Sequence, residues 1–235
     1  MTLAVVAWKW RGTRDYTSAH VNVLARAISA NLTVEHEFVC VTDDPRGLDR
    51  SIRPVPLPKF EHLKVRPGFP SCYVRLRAFD PDFARQLGPR FLTIDVDAVI
   101  TGSLDHLVKR DEDFVIWENT TKPGRIHYQG GLMLMNAGAR PKVWEDFRGE
   151  ESRDLTASLG LVGSDQAWIT HCLYPGEASW THADGLAYRE DCRNGKPPKW
   201  ACMVQITGRL KPWHPGFRFH WPGVHAHWQR YARAA

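Results

Sequence analysis

The sequence Phe91-Leu92-Thr93-Ile94-Asp95-Val96-Asp97-Ala98-Val99-Ile100-Thr101-Gly102 places two carboxylates at the point where an apolar run ends. A short apolar run that ends in a turn is typical of a central strand in a mixed sheet, and such sheets bind ligands outside the carboxyl ends of their strands. Residues i and i+2 of a strand lean to the same side, so the side chains of Asp95 and Asp97 are expected to face the same point in space. Two interpretations stay open at this point. Either the pair caps the turn at 102–103, or it binds Mg²⁺ or Mn²⁺ against the phosphates of a nucleotide.

The composition predicts one soluble globular domain. The chain has 235 residues, of which 43% are apolar and 24% charged, as is ordinary for such a domain. No apolar run approaches the roughly 18 residues of a membrane helix, and no basic leader precedes the first apolar stretch, so we expect a cytoplasmic protein. The five cysteines are odd in number and form no C-x-x-C pair, which favours free, mostly buried thiols over disulfides or a zinc site.

The formal charge of +5 and the pI near 9.0 indicate attraction to anions. Nucleic acid, a nucleotide diphosphate and an anionic membrane would all satisfy that charge. No nucleic-acid-binding motif accompanies the basic residues, so we expect no nucleic-acid partner.

The first part of the chain predicts a strand, a helix and a second strand. The strands are expected at 3–8 and 37–42, and apolar residues at helical spacing over 19–32 follow the candidate caps Thr17 and Ser18. A strand, helix and strand at this spacing form a right-handed crossover in a parallel sheet. The loop after Trp8 therefore lies at the carboxyl edge of the sheet, where a nucleotide base would bind.

The middle of the chain predicts further elements around polar residues. The proline-rich stretch 53–70 is expected to be a surface connection, and a helix that carries Arg75 is expected to begin at Cys72. A strand is expected at 114–118. In the stretch 128–136, the adjacent glycines Gly130 and Gly131 would let the backbone approach a ligand before an apolar strand starts. A helix is expected over 141–148, and another should begin with Ser164 as its cap. No composition shift marks a second domain.

At this point the motifs resemble a known family. Tyr73-Val74-Arg75-Leu76, Asp95-Val96-Asp97, Gln129-Gly130-Gly131-Leu132, Ser164-Asp165-Gln166 and Gly208-Arg209-Leu210-Lys211-Pro212-Trp213 occur in one order. That order is similar to retaining, nucleotide-sugar-dependent glycosyltransferases of the glycogenin and bacterial lipopolysaccharide galactosyltransferase type. The resemblance spans nearly the whole chain. It implies a GT-A fold, which is a Rossmann-like α/β domain with a mixed, mainly parallel sheet flanked by helices.

The resemblance also implies the partners and the layout of the chain. The donor would be a UDP-sugar, with Mn²⁺ or Mg²⁺ bridging the Asp pair to the diphosphate. The nucleotide-binding part would cover about 1–105 and the sugar and acceptor part about 106–235 of a single domain. The acceptor would be a glycan, a lipid-linked molecule or a small molecule. The basic, aromatic stretch 218–233 could rest on an anionic membrane, and the sequence leaves the oligomeric state open.

The resemblance assigns roles to individual residues. Asp95 would contact ribose and metal, and Asp97 would be the main metal ligand. Asp165 and Gln166 would lie beside the anomeric carbon as the catalytic residues. The remaining donor-binding candidates are Trp8, Arg75, Gln129, Gly130, Gly208 and Lys211, the last neutralising the leaving diphosphate.

One position departs from the family pattern. The family's third metal ligand is a histidine three residues before the glycine of the last motif, and here that residue is Gln205. An amide oxygen binds a hard cation but is a weaker ligand for Mn²⁺ than imidazole, so the site would favour Mg²⁺ or recruit His214. An inverting enzyme would instead need a carboxylate base, for which Glu118 and Asp184 are candidates.

Two other classes of protein remain open from the sequence. An apolar strand followed by Asp-x-Asp also resembles the nucleophile strand of haloacid-dehalogenase-type phosphohydrolases. Those enzymes carry the motif near the amino terminus and show a second acidic pair downstream, whereas here two strands precede it and no such pair follows. The second alternative is a non-catalytic sugar- or nucleotide-binding protein that has kept the fold.

Overall fold

Strands form two sheets in this protein. A computed structural model describes residues 2–11, 16–58, 71–119, 126–161 and 164–233. The strands in those ranges are β1 Leu3–Lys9, β2 His36–Thr42, β3 Ile52–Pro56, β4 Arg90–Ile94, β5 Val99–Ile100, β6 Phe114–Glu118, β7 Tyr128–Asn136, β8 Ala178–Trp180, β9 Leu186–Tyr188 and β10 Met203–Gln205. The larger sheet has the order β3-β2-β1-β4-β7-β6-β8, and the smaller has the order β5-β10-β9.

Helices cover both faces of the larger sheet. The α-helices within the described ranges are α1 Ser18–Asn31, α2 Pro81–Leu87, α3 Asp105–Val108, α4 Lys142–Glu145, α5 Glu150–Ser158, α6 Asp165–Leu173, α7 Phe217–His220 and α8 Pro222–Ala232. Short 3₁₀ helices cover Ser71–Phe79, His182–Asp184, Arg189–Asp191 and Arg193–Gly195. None of the helices in these ranges has the length and apolar character needed to cross a bilayer.

The larger sheet is mixed and mainly parallel, as the sequence predicts. Strands β1, β2, β3 and β4 pair in parallel, and β7 runs antiparallel between β4 and β6. Alternate residues of β1 are buried on opposite faces. Val5 and Ala7 pack with α1, and Ala4 and Val6 pack on the side of α2, α4 and α6. Burial on both faces explains why β1 is a continuous apolar run.

The predicted crossover at the amino terminus is confirmed, and one strand there was missed. Helix α1 begins after Thr17 and ends at Asn31, between the parallel strands β1 and β2. The prediction of a surface connection over 53–70 was wrong at its start, since Pro54 and Pro56 lie in β3. That strand is at the sheet edge, where a residue without an N–H is tolerated. The part of this stretch at 59–70 lies outside the described residues.

The Asp-x-Asp segment is a turn and not a strand. Strand β4 ends at Ile94, and the backbone N–H of Ala98 donates to the carbonyl of Asp95 (3.1 Å) before the chain enters β5. The prediction that both carboxylates face one cavity through strand alternation was therefore right in outcome and wrong in reason. A tight turn directs both side chains into the cavity described below.

Several local predictions need correction. The helix expected from Cys72 is a 3₁₀ helix, and the one expected over 141–148 has only the four residues of α4. Helices α2, α3, α5, α7 and α8 were not predicted.

The cysteines are free, as expected, but only two of them are buried. Cys40 and Cys202 are buried, and the other three are half-buried. Burial raises the pKa of Cys40, Cys172 and Cys202 to about 12. These three thiols are therefore protonated at neutral pH.

Candidate active site

A cavity of about 290 Å³ opens at the carboxyl ends of β1 and β4. Its walls come from parts of the chain that lie far apart in sequence, because β7 and β10 bring the second half of the chain beside the Asp-x-Asp turn. The cavity is lined by these residues predicted for the site: Trp8, Arg75, Asp95, Asp97, Gln129, Gln166, Gln205, Gly208 and Lys211.

Asp95 is held by three neighbours. Its backbone N–H donates to the carbonyl of Gly131 (3.0 Å) and fixes the start of the turn. One carboxylate oxygen pairs with Nη1 of Arg75, and the other accepts from Nε2 of Gln205 (2.6 Å). Gln205 ends β10, which pairs with β5 just after the turn. The small sheet therefore brings Gln205 to Asp95 across 110 residues of sequence.

Asp97 is buried with a cation. Nζ of Lys211 lies 2.5 Å from Oδ2 of Asp97, and the hydroxyl of Tyr16 donates to the same oxygen (2.9 Å). Lys211 also donates to the carbonyl of Ile206 (2.9 Å), so its ammonium group is fixed at the cavity wall. Burial raises the pKa of Asp97, and the charge of Asp95 raises it further, while Lys211 and Tyr16 act in the opposite direction. The cavity therefore concentrates charge of both signs away from water.

Arg75 joins two carboxylates beneath the cavity. Its Nη1 pairs with Asp95, and its Nη2 lies 2.6 Å from Oδ2 of Asp165. Burial opposes the charged form of Arg75, but the charges of Asp165 and Asp95 outweigh this effect and raise its pKa above the ordinary value. Arg77, the other arginine of this 3₁₀ helix, pairs with Asp80 and lies over the ring of Trp144 instead. Only one of the two arginines thus reaches the site.

Asp165 and Gln166 occupy different positions. Gln166 lines the cavity, and its Nε2 donates to Oε1 of Gln129. Asp165 is 1% exposed and lies behind the cavity wall. The hydroxyl of Ser164 donates to Asp165 (2.7 Å) and makes no cap hydrogen bond to the backbone of α6. Helix α6 begins after Ser164, as predicted, although the hydroxyl of this cap residue donates to Asp165 and not to the helix backbone. Arg75 and Ser164 hold the Asp165 carboxylate inside the protein, and its position beside the anomeric carbon stays a prediction.

Adjacent glycines let β7 approach the site. A Cβ on Gly131 would lie 2.6 Å from Oδ2 of Asp95 and 3.2 Å from Nε2 of Gln205, so a side chain here would displace the carboxylate. A Cβ on Gly130 would face Ile169, Asp165 and the side chain of Gln166. Gly130 thus supports the wall behind the cavity and does not line it. The predicted close backbone approach belongs to Gly131.

Replacing Gly131 by alanine is expected to displace Asp95 and weaken ligand binding. Forcing a methyl group into packed space costs about 1–3 kcal/mol of unfolding free energy. The free energy is measured by chemical denaturation, and ligand binding by the thermal shift described below. Gly102→Ala is the matched control, because its Cβ would lie at an ordinary 3.5 Å from the nearest atom, Cα of Cys202. Equal losses in both variants would contradict the steric explanation.

Two predicted residues lie outside the site. His214 is exposed, and its Nδ1 accepts from the backbone N–H of Gly216 (3.0 Å). The idea that His214 supplements Gln205 as a metal ligand is therefore not supported. Glu118 accepts from the hydroxyl of Ser179 (2.8 Å), so it too is engaged elsewhere.

The other candidate for a carboxylate base is also engaged outside the cavity. Asp184 accepts from the backbone N–H of Thr181 (2.8 Å). In the described residues, Asp95 and Asp97 are the carboxylates that line the cavity.

Sequence reasoning missed several lining residues. Trp10, Tyr16 and Thr207 border the cavity beside the predicted ones. The spacing of Trp8 and Trp10 at the end of β1 could have indicated Trp10. No sequence signal marked the bond from Tyr16 to Asp97, since the two residues are 81 positions apart.

The oxygen atoms of the site fit a hard cation. In the described ranges, no three His, Cys, Asp or Glu side chains converge as a metal site. The third candidate donor is Gln205, whose Oε1 is buried and accepts no hydrogen bond from the described residues. This buried oxygen without a donor belongs to the amide whose Nε2 contacts Asp95, and an oxygen of this kind beside a carboxylate suits Mg²⁺ or Mn²⁺.

Comparisons with known proteins identify the fold. A scan against protein-family models gives no match, and neither does a sequence comparison with curated proteins. The structure is similar to galactosyltransferase LgtC, solved with donor and acceptor sugar analogs. The TM-score is 0.61 and the identity 15%, over 99% of this chain and 96% of LgtC. It is also similar to the glycosyltransferase GlyE of Streptococcus pneumoniae TIGR4, with a TM-score of 0.61 and 14% identity over 100% of this chain and 63% of GlyE.

A third similar structure is the bifunctional glycosyltransferase WbbM. The TM-score is 0.64 and the identity 13%, over 99% of this chain and 50% of WbbM. The chain therefore spans nearly all of LgtC, less than two thirds of GlyE and half of WbbM. Its fold is the GT-A fold of glycosyltransferases. Among these neighbours, LgtC is matched over almost its whole length.

Proposed function

We propose that the protein is a glycosyltransferase that moves a sugar from a nucleotide-sugar donor, a UDP-sugar, to an acceptor. The observation that carries the proposal is the cavity at the carboxyl edge of the sheet. Two carboxylates there, Asp95 and Asp97, lie beside two fixed cations, Arg75 and Lys211. A nucleotide diphosphate needs both a positive environment and, in most cases, a metal ion, and this cavity offers groups for each.

A divalent cation would be held by Asp95, Asp97 and the amide oxygen of Gln205. When bound, Mg²⁺ or Mn²⁺ would stabilise negative charge on the departing diphosphate. An all-oxygen donor set favours Mg²⁺ over metals that prefer nitrogen ligands.

The protein's own side chains would carry out the other parts of the sugar transfer. Lys211, fixed by Asp97 and the carbonyl of Ile206, would stabilise the charge that develops on the leaving phosphate oxygen. Gln166 lines the cavity, and its amide N–H is engaged by Gln129. Its carbonyl oxygen is thereby available to face the oxocarbenium-like sugar. Arg75 and Asp165 act as positioning residues, because their ion pairs hold Asp95 and the start of α6 in place.

The proposed stereochemical outcome is retention. Inversion requires a carboxylate base aimed at the acceptor hydroxyl. Asp95 and Asp97 are the lining carboxylates of the described residues, and both are paired with cations. Glu118 and Asp184 are engaged elsewhere. The absence of an available carboxylate from the described lining supports retention.

Thermal stability with nucleotides tests the donor. Diphosphates of the common nucleosides and their sugar conjugates are added with Mg²⁺, with Mn²⁺ or with a chelator. A ligand at about 100 times its Kd raises the unfolding free energy by about 2.7 kcal/mol. For a chain of this size that corresponds to a rise in Tm of about 5–10 °C. We expect the rise with UDP and a divalent cation.

The matched variant is Asp97→Asn, which keeps the shape of the side chain and removes its charge. We expect the shift that depends on the divalent cation to disappear in this variant. A cation-independent shift of equal size in both proteins would contradict the metal assignment. No shift with any nucleotide would overturn the donor proposal.

A further inference from the structure

The loop 206–211 connects two side chains that contact the Asp-x-Asp carboxylates. It follows Gln205 and ends at Lys211. The ends of the loop are anchored, because the side chain of Ile206 is buried in a core formed with β5, β9, β10 and α8, and Lys211 donates to the carbonyl of Ile206 (2.9 Å). The middle of the loop is different, since Gly208 is exposed and lines the cavity. The path of this exposed part therefore depends on its contacts with the rest of the protein.

Arg189 holds the middle of this loop. The parallel strands β9 and β10 pair Tyr188 with Gln205, so the chain segments that follow leave the sheet side by side. Nη1 of Arg189 donates to the carbonyl of Thr207 (2.6 Å), 18 positions further along the chain. Nη2 of Arg189 pairs with Glu190 (3.0 Å), and the same oxygen of Glu190 accepts from the hydroxyl of Thr207 (2.8 Å). Both the backbone and the side chain of Thr207 are therefore fixed.

The guanidinium group of Arg189 also lies against Gly208. Gly208 has a φ of +78°, and a Cβ there would lie 3.2 Å from Nη1 of Arg189, so glycine suits this position for two reasons. Cζ of Arg189 lies 4.7 Å from the ring centroid of Trp221, the residue before α8. Trp221 packs on the same core as Ile206. The Arg189 side chain is only 19% exposed, because it lies between the loop and the start of α8.

These contacts matter because the loop has a conformational freedom that its anchored ends do not remove. Glycine populates backbone regions that other residues avoid, so a loop with Gly208 at its middle has more than one accessible path. A planar guanidinium group binds a carbonyl and a carboxylate at the same time and selects one of those paths. A displacement of about 1 Å at a catalytic group can cost a large factor in rate. The path of the loop therefore decides where the ammonium group of Lys211 lies.

We propose that Arg189 is a positioning residue for the sugar transfer. It holds loop 206–211 in the conformation that presents Lys211 to Asp97 and to the diphosphate of the donor. Arg189 acts on Lys211 through the loop and not by direct contact with the donor. This inference rests on the proposed function, because it assigns a further residue to the same site.

A double-mutant cycle between Arg189→Met and Lys211→Met tests the proposal. The kcat for donor cleavage is measured for the wild type, both single variants and the double variant, with the sugar donor that gives the largest thermal shift. We expect Arg189→Met alone to lower kcat by about 10–100-fold, because the ammonium group is displaced. If Arg189 acts through Lys211, adding Arg189→Met to Lys211→Met should lower kcat by less than about a further threefold. Independent effects would multiply, and a loss equal to the product of the two single losses overturns the proposal.

A conservative variant and a matched control separate positioning from a general loss of structure. Arg189→Lys should recover part of the kcat lost in Arg189→Met, because an ammonium group can still donate to the carbonyl of Thr207. No recovery would contradict the role assigned to that hydrogen bond. The control is Arg218→Met, since Arg218 is exposed and its Cζ lies 4.8 Å from the ring centroid of Phe219, outside the loop. The control should keep the wild-type kcat and KM, and a loss equal to that of Arg189→Met would overturn the assignment.

The Tm of every variant is measured to show that it is folded. If Arg189→Met does not fold, Arg189→Gln takes its place in the cycle with the same expectation. Failure of this inference is distinguishable from failure of the proposed function. A wild type that shows no thermal shift with any nucleotide overturns both. A wild type that cleaves the donor, with single losses that multiply in the double variant, overturns the positioning role alone.

Discussion

Replacing Arg75 by methionine is expected to lower the free energy of unfolding by about 3–5 kcal/mol, because a buried ion pair that loses one partner leaves uncompensated charge. Here the substitution leaves two buried carboxylates, Asp95 and Asp165, without the cation that pairs with both of them in the native state. For a chain of this length the Tm should fall by roughly 10 °C. The measurement is chemical and thermal denaturation of the wild type and the variant under the same conditions.

The control for this prediction is Arg85→Met. Arg85 pairs with Asp82 on the surface of α2, with the two side chains 66% and 87% exposed. Exposed ion pairs contribute about 0–1 kcal/mol, so the control should change stability little. The double variant Arg75→Met/Asp165→Asn removes one of the two unpaired carboxylate charges and should recover part of the lost free energy of unfolding. If the double variant is no more stable than Arg75→Met, the lost free energy of unfolding comes from packing and not from an unpaired buried carboxylate.

The second large effect is expected at Lys211. Lys211→Met keeps most of the side-chain length and removes the ammonium group that lies 2.5 Å from Asp97. If that group stabilises the leaving phosphate, its removal should lower kcat for donor cleavage by about 10²–10³-fold. The assay is release of the nucleoside diphosphate from the sugar donor that gives the largest thermal shift.

The split between kcat and KM separates catalysis from binding. A group that acts in the transition state lowers kcat, whereas one that only binds the donor raises KM with kcat unchanged. Lys109→Met on the exposed surface is the matched control and should leave both parameters unchanged. Wild-type kcat in Lys211→Met would contradict the proposed role.

Local patterns predicted the framework of the active site. Sequence reasoning found the apolar run ending at Ile94, the crossover around α1 and the glycines of β7. It could do so because the burial of a single element follows from the spacing of apolar residues within that element. Predictions from apolar periodicity failed for elements whose residues do not follow a pattern of burial. Strand β3 contains two prolines, which an edge strand tolerates, and so it looked like a loop. Helix α8 was missed in a segment where basic and aromatic residues obscure the periodicity.

What the sequence by itself determined is the identity of the site's charged groups and the sheet edge to which they belong. Only the tertiary structure decided how they pair. Gln205 meets Asp95 because β10 pairs with β5, and Arg75 binds Asp95 and Asp165 together because a 3₁₀ helix, a turn and α6 converge. The tertiary structure also placed Asp165 behind the cavity wall, whereas Gln166 lines the cavity. These contacts depend on sheet register and on packing between distant segments, and neither is encoded in the spacing of neighbouring residues.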